Sequence, residues 1–456
     1  MERDSSLLWG RLQPKPNPAR ITYGYRPMTL RNKISLQVWL LALLIVLPLM
    51  ASGCKKKTNS TPAPVDKGLR STCVPAPYAA AAPYTYTTAT PLPQAPLTTG
   101  YDYVTVDIPV DSVGIGIVLA GTNANLKFIE HGVLMIPSTD CMKSPAGVVP
   151  FAFNQMDLNG DTYVDDEYSS LSNYQAPAVF FPNNGQQLIL PKGRYTFPVG
   201  SVNAAETATE SDTLTATVYY MTPSAVVPTL KVNLWLVAGV NTMIDNDPNP
   251  ALAMSSDPEL QGALNKLIAT YRDNANVGIS VVVNYQHIPD STYATLDTVT
   301  EINTLVKSFP TAPSPNDAIN LFVVASIGNQ SAPNPIAPAG VIGYSLGVPG
   351  PFTQQGTVVS GVLAEYQHDG RGDHLGTILT HELGHYFGLY HTTQTNEKQT
   401  GYIGYDPISD TTVCKTTPLT TCADKDNLMF PVAMGITPLQ ITVEQGRVLR
   451  LNPVMK

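Results

Sequence analysis

Apolar and polar residues alternate along one part of the chain and follow a helical period in another. Between Tyr101 and Pro223, runs such as DYVTVDIPV, SVGIGIVLAG, QQLILPKGRYTFPV and TLTATVYYM alternate apolar with polar positions, and Gly, Pro, Asn and Asp separate them. Alternation at period two between such turn residues is typical of antiparallel strands. Residues 101–225 are therefore predicted to form an antiparallel β-sandwich.

The segment Thr222–Pro228, TPSAVVP, is the predicted joint to a second domain, in which strands alternate with helices. This order predicts an α/β (α+β) domain with a mixed sheet over residues 228–456. Its predicted elements are strands at Leu230–Val240, Asn276–Tyr285 and Ala318–Ile327, and helices at Asp257–Arg272 and Thr298–Phe309.

A further helix is predicted after Asp373, which is placed to act as its N-cap. Apolar residues recur there at steps of three and four and form one buried face. They are Leu375, Ile378, Leu379, Leu383 and Phe387. The polar face of this helix is therefore available for side chains that bind a metal ion or act in catalysis.

The run THELGHYFGLYH, Thr380 to His391, carries that chemistry. His381 and His385 are four residues apart and share a helix face, so their imidazoles can converge on one metal ion. Glu382 lies between them, close enough to act on a water that the metal binds. Gly388 tolerates the positive φ of a sharp turn, which lets His391 return as a third ligand.

This run resembles the zinc helix of the metzincin metallopeptidases, above all their pappalysin-like branch. The resemblance implies that His381, His385 and His391 bind zinc, that Glu382 is the general base, and that the substrate is a protein or peptide. It also implies a free-edged strand above the zinc helix, and the sequence offers two segments for it without choosing between them. These are Val341–Leu346 and Val358–Tyr366.

The same resemblance implies a methionine in a turn beneath the zinc. Met429 in DNLMF is the predicted Met-turn residue, and Met434 is the alternative. Many metzincins carry a Tyr two residues after this Met, where it stabilises the oxyanion, but this chain has Pro431. Loss of one oxyanion donor costs on the order of a hundredfold or more in rate.

Two acidic loops are candidate calcium sites. DLNGDTYVDDEY, Asp157 to Tyr168, places Asp157, Asn159, Asp161 and Asp165 at the first, third, fifth and ninth positions of an EF-hand-type loop, although Gly and the final Glu are missing. GYDPISDTTVC resembles the Asp-rich loop of pappalysin-like peptidases, with Asp406 and Asp410 as ligands. The alternative for both is a loop of solvated acids.

The N-terminus predicts export. Residues 1–53 read as a signal peptide with a basic start at Arg31 and Lys33, an apolar Ile34–Met50 run and ASG before Cys54; Met28 is an alternative start. This ending resembles a bacterial lipobox, which implies lipidation of Cys54 and a membrane-anchored or secreted protein of the cell envelope. An uncleaved membrane anchor is the alternative. Residues 54–100 are rich in Pro, Ala and Thr and are predicted to be a tether.

Cysteine usage agrees with an oxidising compartment. Four cysteines remain after Cys54, and the simplest pairing joins Cys73 to Cys141 and Cys414 to Cys422, one of three connectivities. Capping of the zinc by the Cys73 thiolate is a second reading. The chain is 43% apolar and 14% charged, with a net charge of −8, so it offers no basic surface for nucleic acid.

The sequence therefore predicts an exported, lipid-anchored zinc endopeptidase with a β-sandwich before a metzincin-like domain. Glu382 is its general base. The alternative is a surface binding or adhesion lipoprotein whose zinc domain has little or no turnover. His131, His368 and His374 are predicted to lie outside the metal site, because one motif already supplies three ligands.

Overall fold

The C-terminal half of the chain holds the strand and helix order that its apolar periods predict. A computed structural model describes strands between residues 84 and 223, with residues 109–113 and 192 beside them. In the C-terminal half it describes residues 227–309, 318–328, 342–351, 360–366, 372–395, 402–404, 408–412, 421–431 and 439–455, and also 356, 370, 406 and 414. All of these belong to one compact unit, Gly68–Lys456.

The N-terminal part contains two antiparallel sheets. Their strands are β1 (Tyr84–Thr88), β2 (Ala95–Leu97), β3 (Tyr101–Ile108), β4 (Gly114–Gly121), β5 (Lys127–Glu130), β6 (Val133–Pro137), β7 (Val148–Ala152), β8 (Ser169–Ser170), β9 (Ala178–Phe181), β10 (Gly193–Val202) and β11 (Asp212–Pro223). One sheet has the order β1-β11-β4-β9-β8, with β2 also paired to β11, and the other has the order β3-β10-β6-β7, with β5 paired to β10.

Two of these strands lie within the predicted tether, residues 54–100. β1 has the sequence YTYTT and pairs antiparallel with β11, as does β2. Thr and Tyr fit a pleated, half-buried surface well, which favours strand formation even in a Pro-rich stretch. Residues 84–88 and 95–97 of this segment are therefore part of a sheet.

The C-terminal part is built on a five-stranded mixed sheet. Its strands are β12 (Thr229–Val237), β13 (Ser280–Ile288), β15 (Ala318–Val324), β17 (Gly343–Ser345) and β18 (Val362–Glu365), and two-stranded ladders join β14 (Thr295–Leu296) to β16 (Ser326–Ile327) and β19 (Thr393–Thr395) to β20 (Tyr402–Gly404). The order is β13-β12-β15-β18-β17, parallel except for β17. The edge strand therefore lies in Val341–Leu346, and Val358–Tyr366 holds the internal strand β18.

Helices cover this sheet. They are α1 (Thr242–Asp245), α2 (Pro250–Met254), α3 (Pro258–Ile268), α4 (Val299–Ser308), α5 (Asp373–Tyr386) and α6 (Val443–Leu451), with a π-helical turn at Ala269–Asp273 and a 3-10 turn at Ser291–Tyr293. Asp257 caps α3, and capping boxes start α4 at Thr298 and α6 at Thr442. These caps satisfy backbone N–H groups that have no partner inside the helix, which is why α3 and α4 begin where the sequence predicts.

Helix α5 packs closely on α3 through glycines. A Cβ at Gly376 would lie 2.8 Å from the carbonyl oxygen of Ala263, and Gly372 is similarly crowded by the backbone at Glu259. Gly372, with φ of 74°, is the N-cap of α5, so the predicted capping role of Asp373 is wrong. The reason is the contact with α3, which leaves no room for a side chain at the cap.

One hydrophobic core links the two parts. Val118, Phe180 and Met221 of the N-terminal strands belong to the same buried cluster as Leu234 and Leu383 of the C-terminal part. Among the described residues, the helices are all too short or too polar to cross a membrane.

Candidate metal centre

Three imidazoles meet at the C-terminal end of α5. The Nε2 atom of His391 lies 3.1 Å from Nε2 of His381 and 3.0 Å from Nε2 of His385. Three nitrogens bound to one tetrahedral zinc ion at about 2.0–2.1 Å would be roughly 3.3 Å apart. The observed spacing therefore matches three ligands of one ion, and among the described residues these histidines form a group able to hold a metal.

The outer ring nitrogens of two histidines are held by backbone carbonyls. Nδ1 of His381 donates to the Leu428 carbonyl at 2.7 Å, and Nδ1 of His385 donates to the Leu389 carbonyl at 2.8 Å. A carbonyl can only accept, so each Nδ1 carries the hydrogen and each neutral ring presents a lone pair at Nε2. Converging lone pairs are the arrangement that a cation stabilises, and carbonyl-oriented rings are typical of metal-binding His.

Burial favours the neutral form of His381 and His385. It lowers the pKa of His381 to about 4, and the hydrogen bond to the Leu428 carbonyl acts in the opposite direction. It also lowers the pKa of His385, to which the neighbouring His391 and His381 contribute further. Neutral imidazole is the form that binds metal, so the site is ready for a metal ion near pH 7.

The turn predicted to carry the methionine lies against this helix. Met429 is fully buried, and its sulfur would lie 2.5 Å from a Cβ placed at Gly384, next to His385. The backbone N–H of Met429 donates to Asn427 at 2.8 Å, and the preceding carbonyl is the one that orients His381. The turn thus supports the metal helix and one of its ligands at the same time.

A second contact holds the segment that carries His391. The Thr392 hydroxyl donates to Asp424 at 2.8 Å, and the Thr392 N–H donates to the Met429 carbonyl at 3.1 Å. Asp424 follows Cys422, which forms the predicted disulfide with Cys414. The segment that carries His391 is therefore anchored to the stretch from Asp424 to Met429, which begins just after the loop that the disulfide closes.

Glu382 lies under the edge strand β17. Its side chain is 9% exposed, and it accepts a hydrogen bond from the Ser345 N–H. Burial raises the pKa of Glu382 to about 8, and the Ser345 N–H acts in the opposite direction. A cation bound to the neighbouring imidazoles favours the ionised carboxylate, which is the form that can accept a proton.

The start of the motif is positioned by Tyr271. This buried residue lies in the π-helical turn after α3, and its hydroxyl donates to the Thr380 carbonyl at 2.8 Å. Its ring also packs edge-on against Phe387, with ring centroids 5.8 Å apart. Both ends of the HELGHYFG segment are thus fixed from α3.

The two acids of the predicted Asp-rich loop have different surroundings. Asp406 is largely buried, and burial raises its pKa to about 7, while Oδ1 accepts from the Thr411 hydroxyl at 2.8 Å. Its Oδ2 is buried and has no hydrogen-bond partner among the described residues. Asp410 is exposed and accepts from the Glu444 N–H at 3.0 Å, at the start of α6. Asp406 therefore differs from Asp410 in having a buried carboxylate oxygen with no partner among the described residues.

Several predicted residues lie outside the described part of the chain: Cys54, Cys73, Cys141, the EF-hand-type set Asp157, Asn159, Asp161 and Asp165, Met434, His131 and His368. His374 is described and exposed, and it lies seven residues before His381 on the same helix. For the residues outside the described part of the chain, the predictions stay predictions.

Sequence reasoning missed the residues that support the site. Gly343, Ser345 and Tyr271 contact the motif from distant positions in the chain, and Asp424 contacts Thr392 just after it. A glycine, a serine or a tyrosine in a loop or helix carries no local signal of such a contact. Asn427 did carry one, because it precedes the predicted Met-turn residue by two positions.

Comparison with known proteins adds little to this geometry. Neither a family model nor a curated protein matches the chain. A solved chaperone–substrate complex is 15% identical with a TM-score of 0.26, over 39% of this chain and 26% of that chain. A family two carbohydrate esterase from Cellvibrio japonicus is 12% identical with a TM-score of 0.13, over 54% of this chain and 81% of that chain. Both TM-scores are too low to support a conclusion about fold or function. Any proposal for the function therefore depends on the geometry of the site.

Proposed function

We propose that the chain is a zinc-dependent endopeptidase with a metzincin-like catalytic domain preceded by a β-sandwich. The observation that carries this proposal is the convergence of three Nε2 atoms, two of them on rings whose Nδ1 is held by a carbonyl, beside the buried Glu382. A protein needs this arrangement for a metal with one open position. The fold of the described residues, a mixed sheet with the histidine helix beneath it, is compatible with that family.

Each residue has a defined role in the proposed reaction. A zinc ion held by the three histidines supplies Lewis-acid chemistry, since it acidifies water and polarises a carbonyl oxygen. The carboxylate of Glu382 takes a proton from the attacking water and passes it to the leaving amine. His381, His385 and His391 would hold the metal through their converging Nε2 atoms.

The edge strand supports a peptide substrate. β17 has one side paired with β18, and the described part of the chain puts no strand on its other side. An extended peptide can add to such an edge through backbone hydrogen bonds. Because β17 lies directly over Glu382, a peptide paired there would run past the proposed base and the histidines.

The proposed location is the cell envelope. The lipobox-like end at Cys54 supports a lipid anchor, and the Cys414–Cys422 disulfide supports an oxidising compartment, since structural disulfides are rare in the cytosol. The proposed partners are a protein or peptide substrate and the membrane. Calcium is proposed as a second ion at Asp406, where one buried carboxylate oxygen is unpartnered among the described residues, and the other predicted calcium ligands stay predictions.

A second candidate function is a binding or adhesion lipoprotein with little turnover. One observation favours it: Pro431 stands where the resemblance implies a Tyr, and proline offers no hydroxyl to an oxyanion. The intact and buried Glu382 favours the peptidase instead.

The deciding experiment uses the purified full-length protein in detergent. We expect about one zinc ion per chain and cleavage of casein, with activity abolished by a chelator. Glu382→Gln should retain the zinc and lose roughly a hundredfold or more in rate, because general-base catalysis contributes that much. Zinc with no cleavage in the wild-type protein would favour the binding protein, and wild-type rates in Glu382→Gln would refute the assigned base.

A further inference from the structure

The short strand β17 contacts Glu382 from above in two ways. Its residue Ser345 donates its backbone N–H to the carboxylate. Its residue Gly343 lies so close that a Cβ there would be 2.8 Å from Oε1 of Glu382 and 2.5 Å from Cγ2 of Ile378. Both distances are shorter than a real Cβ atom shows, so a side chain at this position would have to displace Ile378 or Glu382.

The hydrogen-bond pattern of β17 explains why the Ser345 N–H is available. Leu346 donates to the Gly361 carbonyl at 3.1 Å, and Glu365 donates to the Ile342 carbonyl at 2.8 Å. In an antiparallel ladder such paired residues alternate with residues whose N–H and C=O point outward. Gly343 and Ser345 are the outward-facing residues, so the Ser345 N–H is an edge group that β18 does not use.

We propose that β17 positions the base of this site: the Ser345 N–H holds the Glu382 carboxylate, and Gly343 keeps the space in which that carboxylate sits. This inference rests on the proposed function, in which Glu382 is the base. Ser345 and Gly343 are positioning residues, because they act through Glu382. The strand on which a peptide substrate would align is therefore the same strand that aligns the base.

The contact itself can be measured without any activity. Amide hydrogen exchange at single-residue resolution should show the Ser345 N–H protected in the full-length protein. In Glu382→Ala we expect that protection to fall by at least about tenfold, because the acceptor is gone. The Leu346 N–H, which donates to the Gly361 carbonyl, is the control within the same strand and should keep its protection. Equal exchange of Ser345 in the two proteins would overturn the proposal.

The catalytic consequence is tested by a pair of substitutions at one position. Ser345→Pro removes the N–H, and an edge strand tolerates proline where the N–H points outward. Ser345→Ala keeps the N–H and removes only the hydroxyl, which bonds the Gly347 carbonyl at 2.8 Å. We expect kcat on a casein-derived peptide to be about tenfold or more lower in the proline variant than in the alanine variant, with KM and bound zinc equal in the two. Equal kcat values in the two variants would contradict the assignment.

Gly343→Ala tests the second contact. Its backbone conformation is open to L-residues, since its φ is outside the positive range, so the added methyl acts through crowding. We expect lower kcat with zinc content retained, together with lost protection of the Ser345 N–H. Retained kcat and retained protection would show that Gly343 does not set the space for Glu382.

These outcomes separate the two proposals. If the wild-type protein has zinc and no peptidase activity, the proposed function fails. The exchange experiment still tests the contact between the Ser345 N–H and Glu382, because it needs no activity. If the wild-type protein cleaves casein and Ser345→Pro matches Ser345→Ala in kcat, only the positioning role fails.

Discussion

At the scale of single residues, the histidines of the site are distinguished by their hydrogen bonds more than by their spacing. Nδ1 of His381 and of His385 is occupied by a carbonyl, which leaves Nε2 of each ring as an acceptor. His374 lies on the same helix and is exposed. The chemistry of the site thus depends on which ring nitrogen donates a hydrogen bond to a backbone carbonyl.

The role of His391 leads to a prediction about metal affinity. His391→Ala should weaken zinc binding by at least about tenfold, because one of three ligands is lost. Competition with a chromophoric chelator measures this in the full-length protein. His374→Ala is the matched control and should bind zinc as the wild type does. Equal affinities for the two variants would remove His391 from the ligand set.

Asp406 leads to a prediction about pH. Its pKa is raised to about 7 in the folded protein, above the value of about 3.9 for an unfolded chain. The folded state therefore holds the proton more tightly, so this group's contribution to stability falls as pH rises from about 4 to about 7. Asp406→Asn should raise Tm relative to wild type more at pH 8 than at pH 5, measured with a calcium chelator present.

The control for this measurement is Asp273→Asn. Asp273 is exposed, and its hydrogen bond with Arg272 lowers the pKa of its carboxyl, so it stays ionised at both pH values and Asp273→Asn should change Tm equally at pH 5 and pH 8. Calcium added at pH 8 should raise Tm of the wild type and leave Asp406→Asn unchanged. A calcium response of equal size in both proteins would exclude Asp406 as a ligand.

At the scale of elements, the C-terminal helix α6 holds the Met-turn in place. Gln445 is fully buried and exchanges two hydrogen bonds with Asn427, each of 3.0 Å. Asn427 in turn accepts the Met429 N–H at 2.8 Å. Asn452, just after α6, donates to the Phe387 carbonyl at 3.0 Å, so the helix also contacts the end of α5.

Gln445→Ala should therefore destabilise the protein. It leaves the Asn427 amide buried without its partner, which costs about 1–3 kcal/mol. Thermal or denaturant unfolding measures the change. Val443→Ala on the same helix is the control, because Val443 is exposed and should change stability by about 0.5 kcal/mol or less. Equal effects of the two substitutions would show that the amide pair contributes nothing specific.

At the scale of the whole molecule, the described strands of the N-terminal part and the α/β part share one core. Met221 at the end of β11 and Leu230 at the start of β12 belong to the same buried cluster. The predicted joint at Thr222–Pro228 therefore connects two parts that pack against each other. The N-terminal part has direct contacts through which it can stabilise the metal domain.

Anchoring is a prediction for the whole chain. Mass spectrometry of the protein from a bacterial envelope should find a mature N-terminus at Cys54 carrying acyl groups. Cys54→Ala should lack the acyl mass, while Cys73→Ala should retain it, because only the first cysteine follows the lipobox-like ASG. A mature N-terminus at another residue would contradict lipid anchoring at Cys54.

Much of the site was predictable because its signals are local. A four-residue spacing places His381 and His385 on one face of α5, and Gly388, with φ of 102°, makes the turn that the motif requires. Caps at Asp257, Thr298 and Thr442 are likewise local, since a side chain bonds the backbone a few residues away. The disulfide joins cysteines eight residues apart and was also predicted.

Tertiary structure alone decided the contacts between distant segments. The choice of β17 as edge strand, the Ser345 bond to Glu382, the Tyr271 bond to Thr380 and the failure of Asp373 as a cap all depend on which surfaces meet. Such contacts follow from packing, where a backbone N–H or a missing Cβ matters and residue type gives no local sign. The sequence by itself therefore determined the three candidate ligands and the helix that presents two of them, and the fold determined how Glu382 beside them is held.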